Sequence, residues 1–193
     1  LQSNTPQHPT TTFLPEPAVH TLPDLKMLIK DVADYPKPGI MFKDFTPLLA
    51  DPQGLALAVE LMANPFRTAR VDVVLGAESR GFIFGIAIAQ AICAGFVPVR
   101  KAGKLPRAVR GVTYDLEYGT DRLEIHADAI TPGKRVLIVD DLLATGGTLE
   151  ACARLASEAG ATIVGMAVLM ELNFLRGRDR VSRYGDVHSV LTY

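Results

Sequence analysis

Apolar residues recur along this chain in blocks that switch between the continuous run of a buried strand and the three-to-four spacing of a helix. From Thr21, the spacing of Leu25, Leu28, Ile29 and Val32 puts four apolar side chains on one helical face, with Thr21 as cap and Pro23 in the first turn. That helix is expected to stop at Tyr35, Pro36, Pro38 and Gly39. Residues 40–47 then form a short extended piece crowded with apolar groups, and Asp51 and Pro52 open a second helix carrying Leu55, Val59 and Met62 inward. Residues 71–75 read as a buried strand, 82–94 as an apolar helix and 96–99 as another strand. Residues 113–119 and 123–126 alternate in the manner of strands with one wet face. Residues 136–139 are a strand buried on both faces, 147–159 a helix closed by Gly160, 162–169 a further buried strand, and 187–190 a last one. Strands alternating with helices predict an α/β fold with a doubly wound, mostly parallel sheet.

Composition narrows this picture. The 193 residues suffice for one domain with a sizeable core. Residues 1–20, rich in Thr, Pro and Gln without a periodic apolar face, are expected to be a mobile tail ahead of a single domain at 21–193. Twenty basic residues stand against 21 acidic ones, which argues against a general nucleic-acid or membrane-surface binder and makes any anion site local. Cys93 and Cys152 lie far apart in apolar or helical stretches without metal-ligand spacing, so buried reduced thiols in a cytoplasmic protein are expected. The run at 82–99 is broken by glycines, Gln90 and Pro98, which makes it helix plus strand rather than a membrane span, and no secretory leader pattern stands at the start.

The chemistry concentrates at residues 135–151. The strand at 136–139 is expected to end at two adjacent carboxylates, Asp140 and Asp141, where the carboxyl ends of strands in an open α/β sheet form the ligand crevice. Ala144, Thr145, Gly146, Gly147 and Thr148 follow and open a helix at Leu149. Glycines let backbone N–H groups converge on an anion, the helix N-terminus adds partial positive charge, and the threonines donate hydroxyls, so a phosphate belongs there. A Walker loop would need a Lys after its glycines, and a dinucleotide fold would place glycines first and an acid later. With the acids first, one compact ligand offers vicinal hydroxyls to the carboxylates and a phosphate to the loop, which is the shape of a ribose 5-phosphate. Two further segments suit anions. Residues 76–81 set small residues, Glu78, Ser79 and Arg80 between a strand and a helix, and five of the twelve residues at 100–111 are basic among two glycines and a proline. The latter can be a solvated charge run when empty and a lid over a polyanion when substrate arrives.

The run Val-Leu-Ile-Val-Asp-Asp-Leu-Leu-Ala-Thr-Gly-Gly-Thr resembles the phosphoribosyl pyrophosphate (PRPP) motif of type I phosphoribosyltransferases, and its Leu-Leu-Ala-Thr-Gly-Gly-Thr form resembles their adenine-using members. The resemblance extends from about Asp34 to the C-terminus. It implies that residues 34–48 form a small hood subdomain over the purine, with Met41, Phe42, Lys43 and Leu172 around the base. It implies a pyrophosphate loop with Ser79 and Arg80, and a flexible catalytic loop near 100–113 that nominates Arg100, Lys101 and Lys104. Asp140, Asp141, Ala144, Thr145, Gly146, Gly147 and Thr148 would complete the PRPP site, and Glu117, in Thr-Tyr-Asp-Leu-Glu-Tyr-Gly, would serve the purine and leaving-group chemistry beside Arg100.

The expected reaction is transfer of the phosphoribosyl group of PRPP to adenine, giving AMP and pyrophosphate. Mg²⁺ would be carried mainly by PRPP near Asp140 and Asp141, without a metal cage of protein side chains, and the resemblance implies a homodimer with neither nucleic-acid nor membrane partners. Two rivals use the same motif. One is an enzyme for hypoxanthine, guanine, xanthine or orotate, against which the segments around Ile40, Glu117 and Leu172 argue. The other is a non-catalytic PRPP sensor, which would need a DNA-binding appendage or a basic face that the sequence does not show.

Overall fold

A computed structural model describes residues 21–115 and 120–193. The expected tail at 1–20 and the acid Glu117 therefore lie outside the described residues.

The helix expected to run past Val32 is only α1, Leu22–Met27, and Val32 belongs to strand β1, Lys30–Ala33. The competing partner is β2, Met41–Asp44, which pairs antiparallel with β1 in a register setting Val32 opposite Phe42. The turn between them is closed by Gly39 N donating to Asp34 Oδ1 at 2.7 Å and Tyr35 N donating to Ile40 O at 3.2 Å. Leu25 and Ile29 still face the core. Cross-strand pairing thus outweighs a helical period that only one more turn of backbone would have satisfied.

Helix α2, Thr46–Ala50, leads to α3, Pro52–Ala63, where Asp51 Oδ2 accepts from Gly54 N at 2.6 Å, a cap that typically contributes about 1 kcal/mol. Strand β3, Val73–Ala77, is followed by α4, Gly81–Ala91, and by β4, Gly95–Lys101. Next come the antiparallel β5, Val109–Asp115, and β6, Thr120–His126, then β7, Arg135–Leu143, α5, Gly147–Glu158, and β8, Thr162–Glu171. A short α6, Gly177–Val181, precedes β9, Val187–Thr192.

Seven strands form one sheet in the order β5-β6-β4-β3-β7-β8-β9. Pairings from β4 across to β9 are parallel, whereas β6 joins β4 antiparallel. Both faces are covered. Leu137 and Val139 of β7 pack with Phe84 and Ile88 of α4 on one side, while Val136 and Ile138 pack with Leu149, Cys152 and Leu155 of α5 on the other. Successive strands move outward in one direction after β3 and in the opposite direction after β7, so a switch point falls between these two strands, where open α/β sheets bind ligands.

Three expectations are corrected. β7 does not end at the acids but continues to Leu143, because Asp140, Leu142 and Leu143 keep pairing with β8. The irregular segment after β4 covers residues 102–108, since Val109 and its neighbours pair with β6 in a seven-residue ladder. Cys93 is exposed in a left-handed turn beyond α4, whereas Cys152 is buried as expected. No helix among the described residues is long and apolar enough to cross a membrane.

Candidate active site

Asp140 and Asp141 sit on the central strand at the switch point, both buried. Asp141 N donates to Asp140 Oδ1 at 3.0 Å, and Arg80 Nε lies 3.1 Å from Asp141 Oδ2. That guanidinium is off the hydrogen-bonding line, so Asp141 Oδ2 is charge-paired yet has no hydrogen-bond donor among the described residues. Burial first, and then the charge of Asp141, hold the Asp140 carboxyl well above the ordinary carboxylate range. Burial also raises Asp141, with Arg80 pulling in the opposite direction. Two adjacent buried acids, one with an acceptor lacking a donor, suit a ligand that brings hydroxyl protons or a cation.

Beyond β7 the chain turns through Gly146 at φ +82°, a left-handed conformation that glycine adopts without penalty, and enters α5. Residues 144–149 line a cavity of about 160 Å³ with Arg80 and the two acids. Burial pushes the pKa of the Tyr114 phenol above its ordinary value, with the Thr148 hydroxyl pulling the other way. A larger polar basin of about 470 Å³ opens beside it, lined by Glu78, Ser79, Arg80, Lys101, Asp140, Asp141 and Thr148. Gly81 must approach closely here, because a methyl carbon at this position would stand 2.8 Å from Asp140 Oδ1.

Arg80 connects this basin to a third cavity of about 410 Å³ under the β1–β2 hairpin, where Val32, Tyr35, Phe42, Phe45 and Ile83 supply apolar walls. The Tyr35 and Phe42 rings meet edge to face at 5.1 Å, and the Arg80 guanidinium lies 5.5 Å from the Phe42 centroid and 5.9 Å from that of Phe45. A flat apolar molecule and a phosphorylated sugar can therefore occupy adjoining spaces with one cation between them.

Of the residues expected around the base, Phe42 lines the apolar cavity. Lys43, its neighbour in β2, points elsewhere: its Nζ pairs with Asp31 Oδ1 at 2.6 Å and lies 4.1 Å from the Tyr193 ring centroid. Met41 is half exposed, and Leu172 is buried with its N–H donating to Leu143 O at 2.9 Å; neither lines that cavity. Of the basic residues expected to meet PRPP, Arg80 and Lys101 line the polar basin, as does Ser79. Arg100 and Lys101 are both fixed by Glu78, whose Oε2 accepts from Arg100 Nε and Lys101 N at 2.9 Å each. Those bonds, that from Arg100 first, hold the Glu78 carboxyl below its ordinary pKa. Lys104 is exposed and lies outside these cavities.

Sequence reasoning passed over the side chains of Tyr35 and Phe45, and over Gly177, and it gave Glu78 no part in fixing Arg100 and Lys101. Period-two alternation in β2 could have shown that Phe42 and Lys43 face opposite ways. Among the described residues no group of three or more His, Cys, Asp or Glu gathers as a metal cage.

An acid pair leading into a phosphate loop at the switch point of such a sheet defines a phosphoribosyltransferase, and residues 45–191 match the family described as Phosphoribosyl transferase domain. Within that family the chain belongs to the adenine phosphoribosyltransferases. It is 57% identical over 170 residues to the adenine phosphoribosyltransferase of Rhodopirellula baltica, covering 88% of this chain and 82% of that one. The crystal structure of adenine phosphoribosyltransferase from Rhodothermus marinus superposes with a TM-score of 0.85 at 52% identity, covering 89% of this chain and 98% of that one. The Saccharomyces cerevisiae enzyme, complexed with adenine and an imino-altritol bisphosphate, gives 0.83 at 38% identity, with 88% and 97% covered.

Proposed function

We propose that this protein transfers the 5-phosphoribosyl group of PRPP to adenine, releasing pyrophosphate and forming AMP, as a purine salvage enzyme. The observation that carries this reading is the adjacency, through Arg80, of an apolar cavity and a polar basin that holds Asp140, Asp141 and the phosphate loop. The yeast relative's complex with adenine and a sugar-like bisphosphate supports the same pairing of ligands.

In this reading residues 144–148 receive the 5-phosphate through backbone N–H groups and threonine hydroxyls, and Asp140 and Asp141 accept from the ribose hydroxyls. Adenine lies against Phe42, with Met41, Lys43 and Leu172 as its further expected neighbours. Bond breaking at C1′ leaves positive charge on the ribose and negative charge on pyrophosphate. Ser79, Arg80 and Lys101, which line the basin, would meet the latter as it develops, with Arg100 and Lys104 as the further expected contacts. Asp140 and Asp141 would hold Mg²⁺ together with PRPP, and the ion would supply further charge neutralisation on the pyrophosphate oxygens. The Asp141 acceptor that has no donor among the described residues fits a cation that arrives with its ligand. The proposal includes a single domain at 21–193 with hood and flexible loop as above, a homodimer, and a cytoplasmic location suited to the unpaired Cys93 and Cys152.

The test is pyrophosphate release from PRPP and Mg²⁺ with each nucleobase in turn. Release with adenine far above that with hypoxanthine, guanine, xanthine or orotate is expected, and no release with any base would leave a PRPP sensor as the better reading.

Residues 102–108 are expected to be a protease-sensitive lid, since all but Leu105 are exposed. Trypsin should cut after Lys104 in the free protein, and Mg²⁺ with PRPP should slow that cleavage. Equal rates with and without PRPP would remove the lid from the mechanism.

Glu117 carries a separate expectation from the resemblance. As a proton relay to the base it would contribute roughly 10² to 10⁴-fold. Glu117→Leu should lower turnover by about that factor with PRPP affinity nearly unchanged, and Glu117→Gln should cost less. Full activity in Glu117→Leu, with chemistry limiting the rate, would show that positioning and electrostatics suffice.

A further inference from the structure

The segment between β8 and β9 reads in sequence as a polar, basic connection, yet its backbone is pressed against the phosphate loop. A methyl carbon placed on Gly177 would overlap Ala144 O and stand 2.9 Å from Gly146 N. A methyl carbon on Gly146 would in turn stand 2.7 Å from Gly177 O and 3.4 Å from Arg180 Cβ. Backbone touches backbone here, and neither residue can carry a side chain without moving the other.

Charged ties hold α6 in that position from two sides. Arg180 and Arg183 both pair with Glu150, in the first turn of α5 just beyond the phosphate loop. Arg178 pairs with Glu171 at the end of β8 through Nε at 3.0 Å and also donates to Val187 O at 2.6 Å. Val181 is fully buried beneath these contacts. Glu150 itself is a buried carboxylate close to where a phosphate dianion would sit. The two arginines neutralise it and leave that cluster with a net charge of +1, which removes a repulsion that the acid alone would impose.

We propose that Gly177, with the Arg180–Glu150–Arg183 cluster, positions residues 144–148 for the 5-phosphate of the substrate. The proposal rests on the functional reading above. These residues touch no substrate. They act by fixing where the N–H groups of the loop point, and displacement of such groups by about 1 Å can cost up to 10²-fold.

The experiment measures binding of two Mg²⁺-loaded probes by calorimetry, ribose 5-phosphate and pyrophosphate, to the parent protein, Gly177→Ala, and the double variant Arg180→Met with Arg183→Met. Weak or absent binding of ribose 5-phosphate to the parent would sink the functional reading itself. With the parent binding both, Gly177→Ala should weaken ribose 5-phosphate by about tenfold or more, while pyrophosphate, which uses residues 78–80, changes by less than about twofold. The double variant introduces no backbone overlap and should show the same selective loss, about threefold to tenfold, so it decides the matter where Gly177→Ala fails to fold. Unchanged ribose 5-phosphate affinity in a folded Gly177→Ala, or equal losses for both probes in either variant, would overturn the positioning role.

Discussion

Replacing Asp140 and Asp141 together with Asn is expected to weaken Mg²⁺-dependent PRPP binding severely while making the ligand-free protein harder to melt at neutral pH. Hydrogen bonds to charged groups contribute roughly 1.5 to 3 kcal/mol each, and 1.4 kcal/mol is about tenfold in affinity, so each lost carboxylate should cost at least about an order of magnitude. The stability gain follows from proton linkage. Both carboxyls are raised above the ordinary value of 3.8 by burial, Asp140 further by its neighbour's charge. Between that value and the raised one the folded state binds more protons than the unfolded chain, so stability falls as pH rises through the window. Asn does not titrate and escapes this loss. The gain in melting temperature should therefore be present at pH 7 and shrink toward pH 4.

The acid limb of stability has a different source and should survive in that variant. Glu78, Glu124 and Glu171 have pKa values held below the ordinary carboxylate range chiefly by hydrogen bonds from Arg100, Arg122 and Arg178. At Glu150 burial opposes, but Arg180 and Arg183 prevail and the shift is again downward. Groups of this kind stabilise the fold above their unfolded values and lose that contribution as pH falls through the folded ones. Melting curves of parent and double variant across pH, with PRPP titrations at pH 7, check both halves. A melting difference that does not vary with pH would contradict the linkage argument, and unchanged PRPP affinity would discard the carboxylate assignment.

The parts of this fold that were legible in sequence are those where one local signal faced no rival. The run of apolar residues in β7, the two acids and the glycines after them lie within fourteen residues, so their order alone describes strand, crevice and anion site. Where two signals competed, local pattern lost. Leu28, Ile29 and Val32 keep a helical period, yet pairing with β2 draws Lys30–Ala33 into a strand. Val109 and Val112 were hidden in a basic, glycine-bearing stretch, and only the presence of β6 makes them a strand. Long-range contacts leave still less trace. Nothing near Gly177 in the sequence indicates that Ala144 and Gly146 press on it from more than thirty residues away. Lys43 shows the opposite case, since alternation with Phe42 was readable and the ion pair with Asp31 simply follows from it.

The remaining large effect is expected at Arg80, which lines the cavity of residues 144–149, the polar basin and the apolar cavity alike. Its Nε faces Asp141 at 3.1 Å, and its guanidinium plane lies within 6 Å of two aromatic rings, at 5.5 Å from Phe42 and 5.9 Å from Phe45. Arg80→Met keeps much of the stem but removes the charge that would meet departing pyrophosphate, and loss of one such preorganised donor typically costs about 10² to 10³ in turnover. It also removes the cation that lowers Asp141, so the acid pair should hold its proton to higher pH and the pH profile of PRPP binding should shift upward. Arg80→Lys separates the two roles. A Lys ammonium can restore charge near pyrophosphate, but it cannot reproduce a planar group between the rings and the acid. Turnover at saturating adenine should recover in part, while the KM for adenine should stay raised. Steady-state kinetics at saturating PRPP distinguish the outcomes. If Arg80→Lys restored both parameters, a point charge would suffice and the contact with Phe42 and Phe45 would have no part in binding the base. If Arg80→Met kept turnover within about twofold, the developing charge would have to be met by Arg100, Lys101 and Lys104 from the loop side.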